Sequence, residues 1–89
     1  MSLVHLDAIY TVRKENLTQF KQLTEQAMKV TREKDTRTLR YDFFFNHDES
    51  VFIGREIYEG LEGLVESIQN LGDLLPQVMA LSEFKIILY

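Results

Sequence analysis

The sequence predicts an α+β domain in which the order β-α-β-β-α-β builds one four-stranded antiparallel sheet with its helices on one face. Three observations lead there. Strand-like segments open and close the chain around stretches of helical period. Two aromatic-rich strands in the middle are joined by the most turn-like run of the sequence, Asn46-His47-Asp48-Glu49-Ser50. The length, 89 residues, leaves room for one hydrophobic core, so residues 1–89 read as a single domain.

The elements follow in order. Leu3 to Val12 alternates as a strand, with Val4, Leu6, Ala8, Tyr10 and Val12 on one face and Leu3, His5, Asp7, Ile9 and Thr11 on the other. Asn16 followed by Gln19 matches a capping box. Leu17, Phe20, Leu23, Ala27 and Val30 then recur at helical spacing, and the helix fades among the basic residues near Arg32 to Lys34. Thr38 to Asn46 and Val51 to Tyr58 form a β-hairpin. Gly60 opens a second helical stretch carrying Leu61, Leu64, Val65, Ile68 and Leu71. Asn70-Leu71-Gly72 interrupts it, and Asp73 is placed to cap a short further helix with Pro76 in its first turn. Phe84 to Tyr89 closes the chain as the fourth strand. This is the ferredoxin-like pattern, which leaves one sheet face bare.

A three-residue turn, His47 to Glu49, sets Asn46 opposite Ser50. That register puts Leu39, Tyr41, Phe43 and Phe45 under the helices with Val51, Ile53 and Ile57, and leaves Arg55 as the lone charge there. The bare face then carries Phe44, Phe52 and Tyr58, with Arg40 opposite Glu56 as an ion pair. Such an apolar patch calls for cover, and a homodimer packed sheet against sheet supplies it.

Composition narrows the function classes. Hydrophobic residues make up 45% of the chain and charged ones 27%, as in a folded soluble domain. No apolar run approaches a membrane span and none opens the chain as a signal peptide, so a cytoplasmic location is expected, with no membrane partner. With no cysteine, disulfides, thiolate metal sites and cysteine nucleophiles are excluded. The net charge of −4 opposes a nucleic-acid partner. The basic residues between Lys29 and Arg40 are interleaved with Glu33 and Asp35 and read as a solvated helix end. No Gly-rich phosphate loop, Ser-His-Asp order or metal-ligand cluster is present, and no cofactor or metal is expected.

The stretch Leu39-Arg40-Tyr41-Asp42, followed by Arg55-Glu56-Ile57-Tyr58-Glu59-Gly60-Leu61-Glu62-Gly63-Leu64, resembles the antibiotic biosynthesis monooxygenase family of dimeric α/β-barrel proteins. The matching residues are Tyr41, then the pair Glu56 and Tyr58 ending the third strand, then Glu62, Gly63 and Leu64 opening the second helix. The resemblance implies a ferredoxin-like protomer with its site between helices and sheet. It also implies activities such as cofactor-independent oxygenation of phenolic or quinol substrates, haem degradation, or isomerisation of small phosphorylated signals. Many members carry a His on the second helix about nine residues after the strand aromatic, and haem-degrading members a Trp there; Ser67 stands there in this chain. Haem-degrading members also need an axial His near Gln77, and neither His5 nor His47 occupies that place, which argues against haem.

The candidate site residues are His5, Tyr41, Arg55 and Ser67. His5, beside Asp7 on its strand face, is either a general base oriented by a carboxylate or a rim histidine of the interface. Arg55, alone on an apolar face, either clamps an anionic or carbonyl-bearing ligand with Tyr41 and Ser67 or extends its stem to the sheet edge to meet a carboxylate. Glu56 reads as half of an interface ion pair, and His47 as an exposed turn residue rather than a metal ligand. The six Phe and four Tyr either line an aromatic pocket or fill core and interface. Two functions are expected: a cofactor-independent monooxygenase-like enzyme acting on a small aromatic or quinol-type molecule, or a non-catalytic dimeric module binding a small ligand on the same fold.

Overall fold

The computed structural model describes residues 2–89. Strand β1 (Leu3–Val12) runs through a 3-10 turn (Lys14–Asn16) into helix α1 (Leu17–Lys34); strands β2 (Thr38–Phe45) and β3 (Val51–Glu59) form the hairpin. Helices α2 (Gly60–Leu71) and α3 (Leu74–Ala80) precede strand β4 (Ser82–Leu88). The sheet order is β2-β3-β1-β4, with all three pairings antiparallel. The ferredoxin-like architecture expected from the element order is thus present, with three helices on one face and the other face open.

The alternation in β1 sorts as its sequence pattern requires: Leu6, Ala8, Tyr10 and Val12 are buried beneath the helices. Phe20, fully buried, is the keystone of α1, its ring 4.8 Å from that of Phe52 and 5.4 Å from that of Tyr10. Leu23, Tyr58 and Val78 complete the cluster from α1, β3 and α3.

The hairpin register departs from expectation by one residue. Asn46 donates its N–H to the Val51 carbonyl at 3.2 Å, so four residues, 47–50, form the loop. Glu49 makes the extra step possible by adopting φ of 60°, and its carboxylate pairs with Lys21 of α1. Side chains alternate with period two, so the slip reverses every residue of β3. Tyr41 now pairs with Glu56, Phe43 with Gly54, and Phe45 with Phe52. Phe52, Glu56 and Tyr58 are buried under the helices, while Ile53, Arg55 and Ile57 lie on the open face with Phe44. The expected Arg40–Glu56 pair is absent; Arg40 bonds Asp42 on its own strand. Leu39, expected under the helices, is exposed where the β2–β3 ladder is irregular between Thr38 and Arg40.

Two expected caps also fail. Asn16 and Asp73 both have helical backbone angles and make no side-chain cap bond. Asn16 instead donates through Nδ2 to the Leu81 carbonyl at 3.4 Å, tying the start of α1 to the chain entering β4. Among the described residues, no helix is long and apolar enough to cross a membrane.

Candidate functional site

A cavity of about 250 Å³ lies between the sheet and helices α2 and α3. Its floor comes from β1 and β4, its polar wall from Tyr41, Glu56 and Tyr58, and its roof from α2 and α3, where Ser67, Ile68 and Met79 face it. A larger hollow of about 420 Å³ opens near Arg13 and Asn16 at the end of β1, but it gathers no buried polar group. The smaller cavity gathers the buried polar side chains Glu56, Tyr58 and Ser67.

Close backbone approach builds the polar wall. A Cβ on Gly54 would sit 3.1 Å from Glu56 Oε2, so glycine there leaves space for the carboxylate. A Cβ on Gly63 would meet the Arg37 carbonyl at 3.0 Å and Tyr58 Cβ at 3.2 Å. Glycine at that position lets α2 lie directly on Tyr58 and brings Ser67, one turn later, over the sheet. A clasp then holds α2 in place. Glu66 accepts hydrogen bonds from the Thr36 N–H at 2.8 Å, the Thr36 hydroxyl at 2.6 Å and the Arg37 N–H at 3.2 Å, and Asn70 donates to Asp35 at 2.8 Å.

Glu56 is 7% exposed, and the Tyr58 hydroxyl donates to its Oε1. Burial pushes its carboxyl up to about 7, against the pull of the Tyr58 bond and with help from the negative charges of Asp7 and Asp35. The Tyr58 hydroxyl is pushed up by burial and by Glu56, as are those of Tyr10 and Tyr41. All three phenols remain protonated donors at neutral pH. Ser67 is 1% exposed, and its Oγ lies close enough to the Tyr58 hydroxyl to lower the proton affinity of that phenol. From the cavity wall the same hydroxyl is placed to turn from Tyr58 toward a bound ligand.

The structure brings together two of the four sequence candidates, Tyr41 and Ser67. Arg55 and His5 lie on the opposite face of the sheet. Arg55 does not stand alone on an apolar face as expected; the register slip carries it outward, where Nε and a terminal guanidinium nitrogen each reach Asp7 at 3.0 Å. Tyr89 also donates to Asp7 at 2.6 Å, and no hydrogen bond joins Asp7 to His5. The imidazole packs against the Tyr89 ring with centroids 4.7 Å apart, and its Nε2 is unpartnered. Arg55 and Tyr89 hold the Asp7 carboxyl down at about 2. His47 lies in the hairpin loop, away from the cavity. Glu56 is the residue that the sequence reading assigned elsewhere. Its signal was present in the Glu56-Ile57-Tyr58 motif, but the three-residue turn pointed it outward.

No protein-family model matches the sequence, and no curated protein does. Solved structures do. The chain is similar to Rv0793 from Mycobacterium tuberculosis at 18% identity, with a TM-score of 0.87 over 99% of this chain and 93% of that one. It is similar to SnoaB, a cofactor-independent oxygenase from Streptomyces nogalater, at 11% identity, with a TM-score of 0.83 over 100% and 92% of the two chains. A structure described as an antibiotic biosynthesis monooxygenase aligns at 18% identity, with a TM-score of 0.85 over 97% of this chain and 95% of that one. The fold of this chain is the one found in solved antibiotic biosynthesis monooxygenases, in agreement with the resemblance carried by Tyr41, Glu56 and Tyr58.

Proposed function

We propose that the protein is a cofactor-independent monooxygenase-like enzyme that acts on a small aromatic or quinol-type molecule held between the sheet and α2–α3. The observation that carries this reading is Glu56: a carboxyl buried in an apolar cavity, oriented by Tyr58 and pushed up to about 7. Such a group is half-ionised at neutral pH, the condition under which a general base works best. Tyr41 and Ser67 are placed to hold a substrate oxygen, and the apolar walls keep water from the anion that forms. Glu56 takes a proton from the activated carbon of the bound substrate. The resulting carbanion reduces molecular oxygen and joins it as a hydroperoxide, protonated by Glu56. Loss of water from the hydroperoxide leaves a new carbonyl, so one oxygen atom goes to product and the other to water. Oxygen uptake with benzohydroquinones and naphthohydroquinones tests the reading. Saturable uptake that Glu56→Gln abolishes supports it; uptake no faster than in buffer, or unaffected by that substitution, refutes it.

A homodimer belongs to the same proposal. The open face carries Ile9, Ile53, Ile57, Phe44 and Ile87 around the Asp7–Arg55 pair, with Phe44 47% and Ile87 40% exposed. A second sheet removes these side chains from water and shields the ion pair. A monomer in sedimentation velocity at micromolar concentration overturns this part. The second reading, a non-catalytic ligand-binding module, is favoured by the position of both histidines outside the cavity. A ligand released by denaturation, together with absent oxygen uptake, selects it.

A further inference from the structure

We infer that the cavity discriminates by charge: it takes uncharged one- or two-ring hydroxyaromatic molecules and rejects their carboxylated analogues. The inference rests on the reading of the cavity as the ligand site. It is carried by the wall, in which Glu56 is the one charged side chain and no Lys, Arg or His appears. Arg55, the chain neighbour of Glu56, faces the other side of the sheet and is committed to Asp7. The polar groups facing Glu56 are phenols and a hydroxyl: Tyr58, which bonds it, with Tyr10, Tyr41 and Ser67 around the same space.

The field inside the cavity is negative. Glu56 raises the proton affinity of Tyr10 and Tyr41, and Asp7 and Asp35 raise that of Glu56 itself. A second carboxylate brought into this space has no cation to meet and must be desolvated beside a like charge. A neutral hydroxyl suits the site better. It donates to the Glu56 carboxylate and accepts from the Ser67 hydroxyl in the same wall. Size sets the second limit. The cavity of about 250 Å³ falls below the roughly 300 Å³ where drug-sized pockets begin, which fits one or two fused rings.

The test is a pair of ligands that differ by one carboxylate, 2-naphthol and 3-hydroxy-2-naphthoate, titrated by calorimetry into the full chain at about pH 8. The methyl resonance of Met79, at the cavity rim, reports whether either ligand occupies the site. The expected result is that naphthol shifts Met79 and binds about tenfold or more tightly than the acid, a gap of about 1.4 kcal/mol or more. Glu56→Gln narrows that gap. Lowering the pH of the unsubstituted protein to about 5.5, where Glu56 is protonated and the naphthoate stays charged, narrows it without any substitution. Equal or tighter binding of the acid at Met79 overturns the charge inference and leaves the ligand site standing. A gap that neither change narrows overturns the role of Glu56 in it. Binding of neither ligand removes the ligand site, and the inference with it.

Discussion

The carboxyl of Glu56 makes folding stability depend on pH in a direction opposite to most carboxylates. Its affinity for a proton is higher in the folded chain than in the unfolded one, about 7 against 4.5. The folded state therefore binds more protons between these two values, and stability falls as pH rises through that window. Each pKa unit corresponds to about 1.4 kcal/mol, so the full loss is about 3 kcal/mol, complete above about pH 7. Glu56→Gln removes the titration but keeps an amide oxygen to accept the Tyr58 hydrogen bond. The variant is expected to match the parent near pH 4.5 and to exceed it by about 3 kcal/mol near pH 8. Urea unfolding of both proteins at one fixed concentration, every half unit across this window, measures the difference. Groups common to both chains cancel. A difference that stays flat, or one that favours the parent as pH rises, refutes the argument that burial controls this carboxyl.

The other predictions concern its surroundings. Asp7 behaves oppositely, because Arg55 and Tyr89 hold it down at about 2. Its contribution is present above pH 3.8 and is lost as pH falls toward 2, and acid titration of Asp7→Asn by urea unfolding is expected to lack that loss. Phe20→Ala empties the fully buried centre of the aromatic cluster and is expected to cost about 3–5 kcal/mol, read from the urea midpoint. Ser67→Ala removes the one hydroxyl that α2 presents to the cavity beside Tyr58, and it is expected to weaken hydroxyaromatic binding by calorimetry. Unchanged binding by the folded variant refutes a contact between Ser67 and the ligand.

Much of this molecule was legible in its sequence because its elements carry local signals. Period-two alternation in β1 identifies both its faces, and the apolar spacing around Phe20 and Leu23 identifies the core side of α1. The hairpin did not announce its register in the same way. Asn46-His47-Asp48-Glu49-Ser50 contains no glycine, the usual mark of a left-handed turn residue, yet Glu49 adopts φ of 60°. One tertiary contact and the loop's own side chains compensate: Glu49 pairs with Lys21, Asp48 accepts hydrogen bonds from the Ser50 N–H at 3.1 Å and from its hydroxyl at 2.6 Å, and Asn46 Oδ1 accepts from the Val51 N–H at 3.0 Å. The pair between Glu49 and Lys21 is invisible to a local pattern. One uncounted loop residue was enough to exchange Arg55 for Glu56 at the candidate site.

That exchange bears on function because the two carboxylates nearest the centre of the sheet lie back to back. Leu6 pairs with Glu56 and Asp7 with Arg55, so adjacent rungs of the β1–β3 ladder send one acid to each face. Asp7 meets a guanidinium and a phenol and stays charged through the whole neutral range. Glu56 meets a phenol alone and is poised near neutrality. A carboxylate with all its partners present is already stabilised as an anion and has little tendency to accept a proton. The one deprived of a cation is the better base. Supplying that missing cation distinguishes the two roles. Leu64→Lys, which places an ammonium at the cavity wall, is expected to lower the Glu56 pKa as followed by its carboxyl carbon resonance, and to slow proton abstraction. It should also reverse the preference between naphthol and naphthoate. If the carboxyl titrates unchanged in a folded variant, the lack of a cation is not what sets its basicity.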